Sequence, residues 1–161
     1  MKSEIELSPP IDCETEAIRI LEMCEGRLLD AMGVIERQFG TLHSRAQVLF
    51  SFCGVVITVT GFSGRLIAGT NSLAQGLVVS GLAVVILCAI YIYHSVMTLR
   101  WATQRLDTSA ERTLVRLINR RNIKNAAYRR GGYILFIGIG LYGLAVALML
   151  LNPVPLELPL R

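Results

Sequence analysis

The sequence predicts an all-α integral membrane protein with three transmembrane helices and amphipathic helices on the cytoplasmic side. Three uncharged blocks carry this prediction, residues 46–62, 73–97 and 132–151, each free of Asp, Glu, Lys and Arg over 17 or more residues. A helix of about 20 apolar residues crosses a hydrocarbon core of roughly 30 Å. The chain is also 53% hydrophobic with a mean hydropathy of +0.53, which is more apolar than a soluble domain of 161 residues.

The order of segments follows from the breaks between these blocks. Pro9 and Pro10 end any upstream helix, and Asp12 is a suitable N-cap for the next one. A capping box beginning at Thr108 predicts a second helix start. The predicted segments are a polar lead (1–11), a cytoplasmic amphipathic helix (12–45), a first transmembrane helix (46–62), an outer hairpin loop (63–72), a second transmembrane helix (73–99), a basic cytoplasmic segment with a helix from about residue 108 (100–130), a third transmembrane helix (131–151) and an outer tail (152–161). Whether residues 12–62 form one continuous helix is left open by the sequence.

A heptad-like stripe runs along the predicted helix 12–45. Its members alternate in steps of four and three residues, a spacing that places them on one side of a helix. This spacing predicts a seam for self-association centred on Leu21, Leu28, Ile35 and Leu42. An equally weighted alternative is that the stripe packs against other helices of the same chain.

The three uncharged blocks carry small residues spaced four apart. Small side chains let helices approach closely in lipid, so these positions predict helix packing inside the membrane. They are Gly54 and Thr58, Gly76 and Ser80, and Gly143 and Ala147.

The charges are distributed unequally. Residues 1–45 hold five basic and nine acidic side chains, a net charge of −4, whereas residues 100–130 hold nine basic and two acidic ones, a net charge of +7. The positive-inside rule therefore places the basic segment and the N-terminus in the cytoplasm and the C-terminus outside. The basic helix is predicted to contact anionic lipid headgroups or the acidic N-terminal helix, because both carry the opposite charge. Nucleic acid is the less expected partner, because predicted transmembrane helices flank this segment. The residues concerned are Arg112, Arg116, Arg120, Arg121 and Lys124.

The sequence contains no pattern that identifies a reaction, so we expect no enzyme, no cofactor and no metal site. It has no phosphate-binding loop, no His-Glu-x-x-His helix and no nucleophile elbow. The uncharged blocks lack the acidic or basic residues that an ion-coupled transporter needs inside the bilayer. An integral membrane enzyme or transporter remains a third hypothesis, for which His43, His94 and Tyr142 are the best candidate residues.

Two stretches resemble the small helical membrane effectors of bacterial cyclic-nucleotide defence systems, in particular the transmembrane effectors of the pyrimidine cyclase (Pycsar) class. The start of the first block, residues 43–49 with Gly54, looks like that family's first transmembrane helix. Asn119, Lys124 and residues 128–129 and 135–136 look like the start of its last transmembrane helix. The resemblance implies an oligomer of the inner (plasma) membrane that responds to a nucleotide signal in antiviral defence and impairs the membrane.

These observations favour an oligomeric inner-membrane protein, a pore-forming or membrane-disrupting effector controlled by its cytoplasmic helices. The alternative is a membrane-anchored interaction or scaffold subunit without pore activity, which docks a cytoplasmic protein partner. The two hypotheses differ in whether triggering or overproduction depolarises the cell.

Overall fold

The computed structural model describes residues 11–67, 72–98, 107 and 109–151, and of residues 63–67 only the backbone. It contains four α-helices, α1 (Cys13–Met23), α2 (Leu28–Ile67), α3 (Ser72–Ile92) and α4 (Ala110–Leu151). A π-helical segment, Tyr93–Met97, extends α3. The described part of the chain is all-helical, as the sequence predicts. Residues 1–10 of the predicted polar lead, residues 68–71 of the predicted outer hairpin loop, the first part of the basic segment and the outer tail lie outside the described residues. The loop was predicted to start at residue 63, but α2 continues to Ile67, so residues 63–67 are helical instead.

Three helical stretches are long and apolar enough to cross a membrane: Leu28–Phe62, Ser72–Met97 and Ala110–Leu151. Each includes one of the three uncharged blocks. Two of them are longer than predicted, because α2 and α4 are each continuous from the polar flanking sequence into the uncharged block. The predicted basic helix and the third transmembrane helix are therefore one helix, and residues 28–62 likewise belong to one helix.

The chain divides into two compact units. The first, here called the polar unit, comprises Met1–Leu42 and Leu99–Asn125; the second, here called the apolar unit, comprises His43–Thr98 and Ala126–Arg161. The polar unit contains α1 and the first parts of α2 and α4. The apolar unit contains α3 and the remaining parts of α2 and α4.

In the polar unit the predicted helix 12–45 is interrupted after Met23. Glu25 and Gly26 both adopt left-handed backbone conformations, with φ of 54° and 75°. The Gly26 amide donates to the Leu21 carbonyl at 2.9 Å and the Glu25 amide to the Glu22 carbonyl at 3.1 Å. This pair of hydrogen bonds is a Schellman motif, which satisfies carbonyls at the end of α1 and terminates it. The sequence stripe continues across the break, so its periodicity alone did not reveal it.

The core of the polar unit is formed by α1, α2 and α4 together. The acidic N-terminal helices and the basic helix therefore pack side by side within one chain. The buried residues of this cluster are aliphatic and recur at helical spacing on each helix: Ala17, Ile20, Ala31, Ile35, Leu114, Leu117 and Ile118.

α4 begins one residue later than the predicted capping box. The Ser109 hydroxyl accepts a hydrogen bond from the Arg112 amide at 3.2 Å, so Ser109 acts as an N-cap of α4. The predicted N-cap, Thr108, lies outside the described residues. The third residue after Ser109 is an arginine, which has no acceptor with which to complete a reciprocal box. Thr113, also in the first turn, is buried and accepts a hydrogen bond from the Asp107 amide at 3.1 Å.

Asp12 caps the start of α1 from an extended conformation, without a side-chain hydrogen bond of cap geometry. The Thr15 hydroxyl beside its carboxylate, assisted by nearby amides, lowers the pKa of Asp12 below the ordinary value of 3.8. A depressed folded-state pKa contributes stability above the unfolded-state value, and this contribution is lost as the pH falls through the folded-state pKa. We predict that Thr15→Ala raises the Asp12 pKa, measured by NMR titration, whereas Thr41→Ala on α2 leaves it unchanged. An Asp12 pKa that is the same in the Thr15→Ala chain would contradict this assignment.

In the apolar unit, α3 and α4 approach closely at a pair of glycines. A β-carbon on Gly81 would lie 3.0 Å from the Gly138 carbonyl oxygen, and one on Gly138 would lie 2.8 Å from Val85 Cγ2. The two backbones therefore meet with no side chain between them. One end of the same unit has a second junction, where Gly131 of α4 packs against Ile92 of α3 and Leu49 of α2.

Candidate functional site

The predicted self-association seam lies largely inside the polar unit. Ile35 is 1% exposed and belongs to the core cluster, and Leu21 and Leu28 are partly buried against that cluster. Leu42, at the end of the unit, is also buried. The stripe therefore packs against helices of its own chain, which is the alternative that the sequence left open.

Arg121 joins the three helices of the polar unit. Its guanidinium donates to both Glu16 carboxylate oxygens, at 2.6 and 2.8 Å, and to the Gln38 side-chain oxygen at 2.7 Å. The side chains of Arg121 and Glu16 are 19% and 26% exposed, so the ion pair is partly shielded from water. We call Arg121, Glu16 and Gln38 the polar clamp. Because the guanidinium makes two parallel hydrogen bonds to one carboxylate, it fixes the relative orientation of the two groups as well as the distance between them.

The helix periodicity explains why the clamp forms here. Arg121 follows the buried residues Leu117 and Ile118 by four and three positions, so it lies on the core side of α4. Glu16 immediately precedes buried Ala17 on α1. The two charged groups therefore meet at the edge of the apolar core, where desolvation strengthens their attraction.

The other four basic residues predicted for lipid or acidic-helix contact have different surroundings. Arg116 pairs with Asp107 at 2.6 Å, close to the start of α4. Arg112 is exposed, and Arg120 and Lys124 are half-buried, each with further contacts of its own. Arg121 makes an ion pair with Glu16 of the acidic helix α1.

We predict that Arg121→Lys destabilises the polar unit by about 1 kcal/mol or more, because a lysine ammonium retains the charge but cannot form both parallel bonds to Glu16 while also reaching Gln38. Arg112→Lys, an exposed position on the same helix, is the matched control and should be nearly neutral. The free energy of unfolding measured by chemical denaturation compares the two. Equal free energies of unfolding for the two variants would show that only the charge of Arg121 matters and that its paired hydrogen bonds do not.

The predicted packing residues of the apolar unit lie on open faces. A β-carbon on Gly54, Gly76 or Gly143 would meet no atom within 4 Å outside its local helix. Thr58, Ser80 and Ala147 are exposed. The Thr58 hydroxyl donates to the Gly54 carbonyl at 2.9 Å, so its polarity is satisfied within α2. The close helix contact within the chain instead uses Gly81 and Gly138, which the four-residue spacing rule did not select.

Two cysteines lie at the junction of α2, α3 and α4. The thiols of Cys53 and Cys88 are buried neighbours, and Cys88 Sγ donates to the Gly131 carbonyl at 3.1 Å. All four cysteines are free thiols. The Cys88 thiol thus contacts Cys53 of α2 and the Gly131 carbonyl of α4. A buried cysteine with apolar surroundings commonly acts as a small packing residue.

The candidate residues of the enzyme hypothesis lie on three different helical segments. His43, His94 and Tyr142 lie on α2, the π-helical segment and α4. Residues 11–67, 72–98, 107 and 109–151 contain no group of three or more His, Cys, Asp or Glu placed to hold a metal. A shallow groove of about 310 Å³ in the polar unit is lined by Ile18, Leu21, Glu22, Gly26 and Glu111.

Comparisons of this chain with models of known protein families, with curated proteins and with solved structures find no match.

Proposed function

We propose that the chain is a multi-pass protein of the inner (plasma) membrane, with the polar unit in the cytoplasm and the C-terminus outside. The three long apolar helices supply the membrane crossings. Large apolar side chains stay exposed on them, including Phe52, Leu87 and Phe136, and lipid is the environment in which such exposure costs nothing. The basic α4 segment favours the cytoplasmic side for the polar unit.

We further propose that it assembles into oligomers and acts as a pore-forming or membrane-disrupting effector. The observation that carries this proposal is that Gly54 of α2, Gly76 of α3 and Gly143 of α4 each lie on an open face, where a β-carbon would meet no atom of the described residues within 4 Å outside its local helix. In lipid, small-residue faces bring helices of separate copies together because backbone contact replaces lipid contact. Assembly through these faces leaves the polar-unit seam intact within each copy.

Control by the cytoplasmic helices would use the continuity of α2 and α4. Each of these helices is unbroken between its residues in the polar unit and its residues in the apolar unit. The polar clamp holds both helices to α1. Its release is the molecular step that a trigger received by the polar unit would cause.

Membrane depolarisation on expression tests the effector proposal. We expect the native chain to collapse the signal of a potential-sensitive dye after induction, and Gly54→Leu combined with Gly143→Leu to prevent this by blocking close approach between copies. Val55→Leu, an exposed apolar change one residue away, is the control and should behave as the native chain. Equal depolarisation by the native chain and the double variant would contradict assembly through these faces.

A second candidate function is a membrane-anchored interaction subunit that docks a cytoplasmic protein. An exposed apolar surface of the polar unit favours it, since Ile18, Met23 and Leu29 are 44%, 75% and 83% exposed around the end of α1. This candidate predicts no depolarisation on expression and predicts loss of a co-purifying protein in the Met23→Glu and Leu29→Glu chains. The same two substitutions should leave a pore-forming effector active.

A further inference from the structure

Three arginines of the apolar unit have no carboxylate partner. Arg45 on α2 and Arg129 and Arg130 on α4 are exposed, and in the described part of the chain none of them makes an ion pair. Arg116 and Arg121, by contrast, are paired with Asp107 and Glu16. On α4, Arg116 and Arg121 of the polar unit are thus paired, whereas Arg129 and Arg130, where the apolar unit begins, make no ion pair with a described residue.

The unpaired arginines lie at one level of the apolar unit. A β-carbon on Gly131 would lie 2.8 Å from Ile92 Cγ1 and 3.7 Å from Leu49 Cδ2, so α2, α3 and α4 meet there. Arg45 precedes Leu49 by four residues, a rise of about 6 Å along the helix. Arg129 and Arg130 immediately precede Gly131. On both helices the arginines immediately precede uncharged sequence, so they lie where the apolar stretch of each helix begins.

Exposed tyrosines lie at the same level. Tyr93 follows Ile92 on α3 and Tyr133 follows Gly131 by two residues on α4, and each is 64% exposed. Phenol rings with an apolar body and a polar hydroxyl prefer the headgroup level of a bilayer. Arginine and tyrosine together offer the donors that a phosphodiester accepts, and guanidinium binds phosphate oxygens through two parallel bonds.

We propose that Arg45, Arg129 and Arg130, with Tyr93 and Tyr133, form a binding site for the phosphodiester headgroup of anionic phospholipids. This inference rests on the proposed membrane insertion. The lipid is favoured over a soluble phosphate because the arginines border uncharged helical surface that the acyl chains of a bound lipid can cover. The proposal thus places lipid contact on Arg45, Arg129 and Arg130, which lie outside the set predicted from the sequence, while Arg121 of that set contacts the acidic helix.

Lipid enrichment around the purified full-length protein tests the site. The protein is reconstituted in vesicles of phosphatidylcholine and phosphatidylglycerol in equal parts, extracted in detergent, and its retained lipid is measured by mass spectrometry. We expect retained phosphatidylglycerol to fall by about fivefold for each arginine removed, the effect of roughly one interfacial charge. The variant combines Arg45→Gln, Arg129→Gln and Arg130→Gln, and the single substitution Arg130→Gln is measured beside it.

The matched control combines Arg19→Gln, Arg37→Gln and Arg112→Gln, three exposed arginines of the polar unit with the same total charge. Retention that falls in the triple variant and persists in the control supports the site. Equal retention in both chains would overturn it, as would displacement of the lipid by excess inorganic phosphate, which would indicate a soluble-anion site. Resistance of the protein to alkaline extraction from cell membranes is measured separately. Loss of that resistance would refute the proposed membrane function, whereas resistance without lipid enrichment would refute the lipid site alone.

Discussion

Replacing Gly138 with alanine is expected to destabilise the apolar unit by about 1–3 kcal/mol, the cost of inserting a methyl group into a filled contact. The new β-carbon would lie 2.8 Å from Val85 Cγ2 and 3.2 Å from the Gly81 carbonyl oxygen. Valine is stiff at χ1 and a helix carbonyl cannot turn aside, so α3 and α4 must separate to accept the methyl group. Gly81→Ala should have a similar effect, since its β-carbon meets the Gly138 carbonyl at 3.0 Å and the Tyr142 amide at 3.2 Å.

Gly140→Ala is the matched control for this prediction. Gly140 lies two residues away on the same helix, and a β-carbon there meets nothing within 4 Å. The higher helix propensity of alanine should make this change neutral or slightly stabilising. Denaturant titration of the protein in detergent micelles gives the free energy of unfolding for all three variants. A Gly138→Ala chain as stable as Gly140→Ala would mean that α3 and α4 do not touch as the structure places them.

Truncation of Ile35 to alanine is expected to cost the polar unit about 2–5 kcal/mol, the range for removing most of a buried aliphatic side chain. Ile35 is 1% exposed and lies in the cluster formed by α1, α2 and α4. Leu29→Ala, on the same helix at 83% exposure, should change stability by less than about 0.5 kcal/mol. Thermal unfolding followed by circular dichroism measures both.

The concentration dependence of this effect distinguishes the two interpretations of the stripe. If Ile35 packs within its own chain, the loss of stability in the alanine variant is the same at every protein concentration. If it packs against a second copy, dilution of the native protein lowers its melting temperature, and the difference between the native and variant chains shrinks. If the melting temperature of the native chain depends on protein concentration and that of the Ile35→Ala chain does not, the seam is an assembly surface after all.

The all-helical class and the three apolar helices could be predicted from the sequence, because a long stretch without charged residues strongly indicates an apolar helix. The break after Met23 was not, because Leu21 and Leu28 lie on either side of it and both pack against the core, so the heptad spacing persists. Glutamate rarely adopts a left-handed backbone conformation, so Glu25 did not indicate a helix end. Gly26 did not stand out either, because it is one of three glycines at seven-residue intervals.

The contacts between helices were less predictable than the helices themselves. The charge pattern predicted that the acidic and basic helices would contact one another, but not that Arg121 would be the residue paired with Glu16, since that depends on the rotation of α4 about its axis. The spacing rule for small residues selected Gly54, Gly76 and Gly143, which lie open, and passed over Gly81 and Gly138, which face one another from different helices. A spacing rule within one helix has no information about the register between two.

Thiol labelling of intact spheroplasts tests most directly the central claim that the polar unit is cytoplasmic and the C-terminus lies outside. One reporter keeps Cys24 of the polar unit and replaces Cys13, Cys53 and Cys88 with alanine; the other places Leu156→Cys in a chain with all four native cysteines replaced by alanine. We predict that a membrane-impermeant maleimide labels the tail reporter without permeabilisation and Cys24 only after it. Labelling of Cys24 in intact spheroplasts, or of the tail reporter only after permeabilisation, would contradict the account.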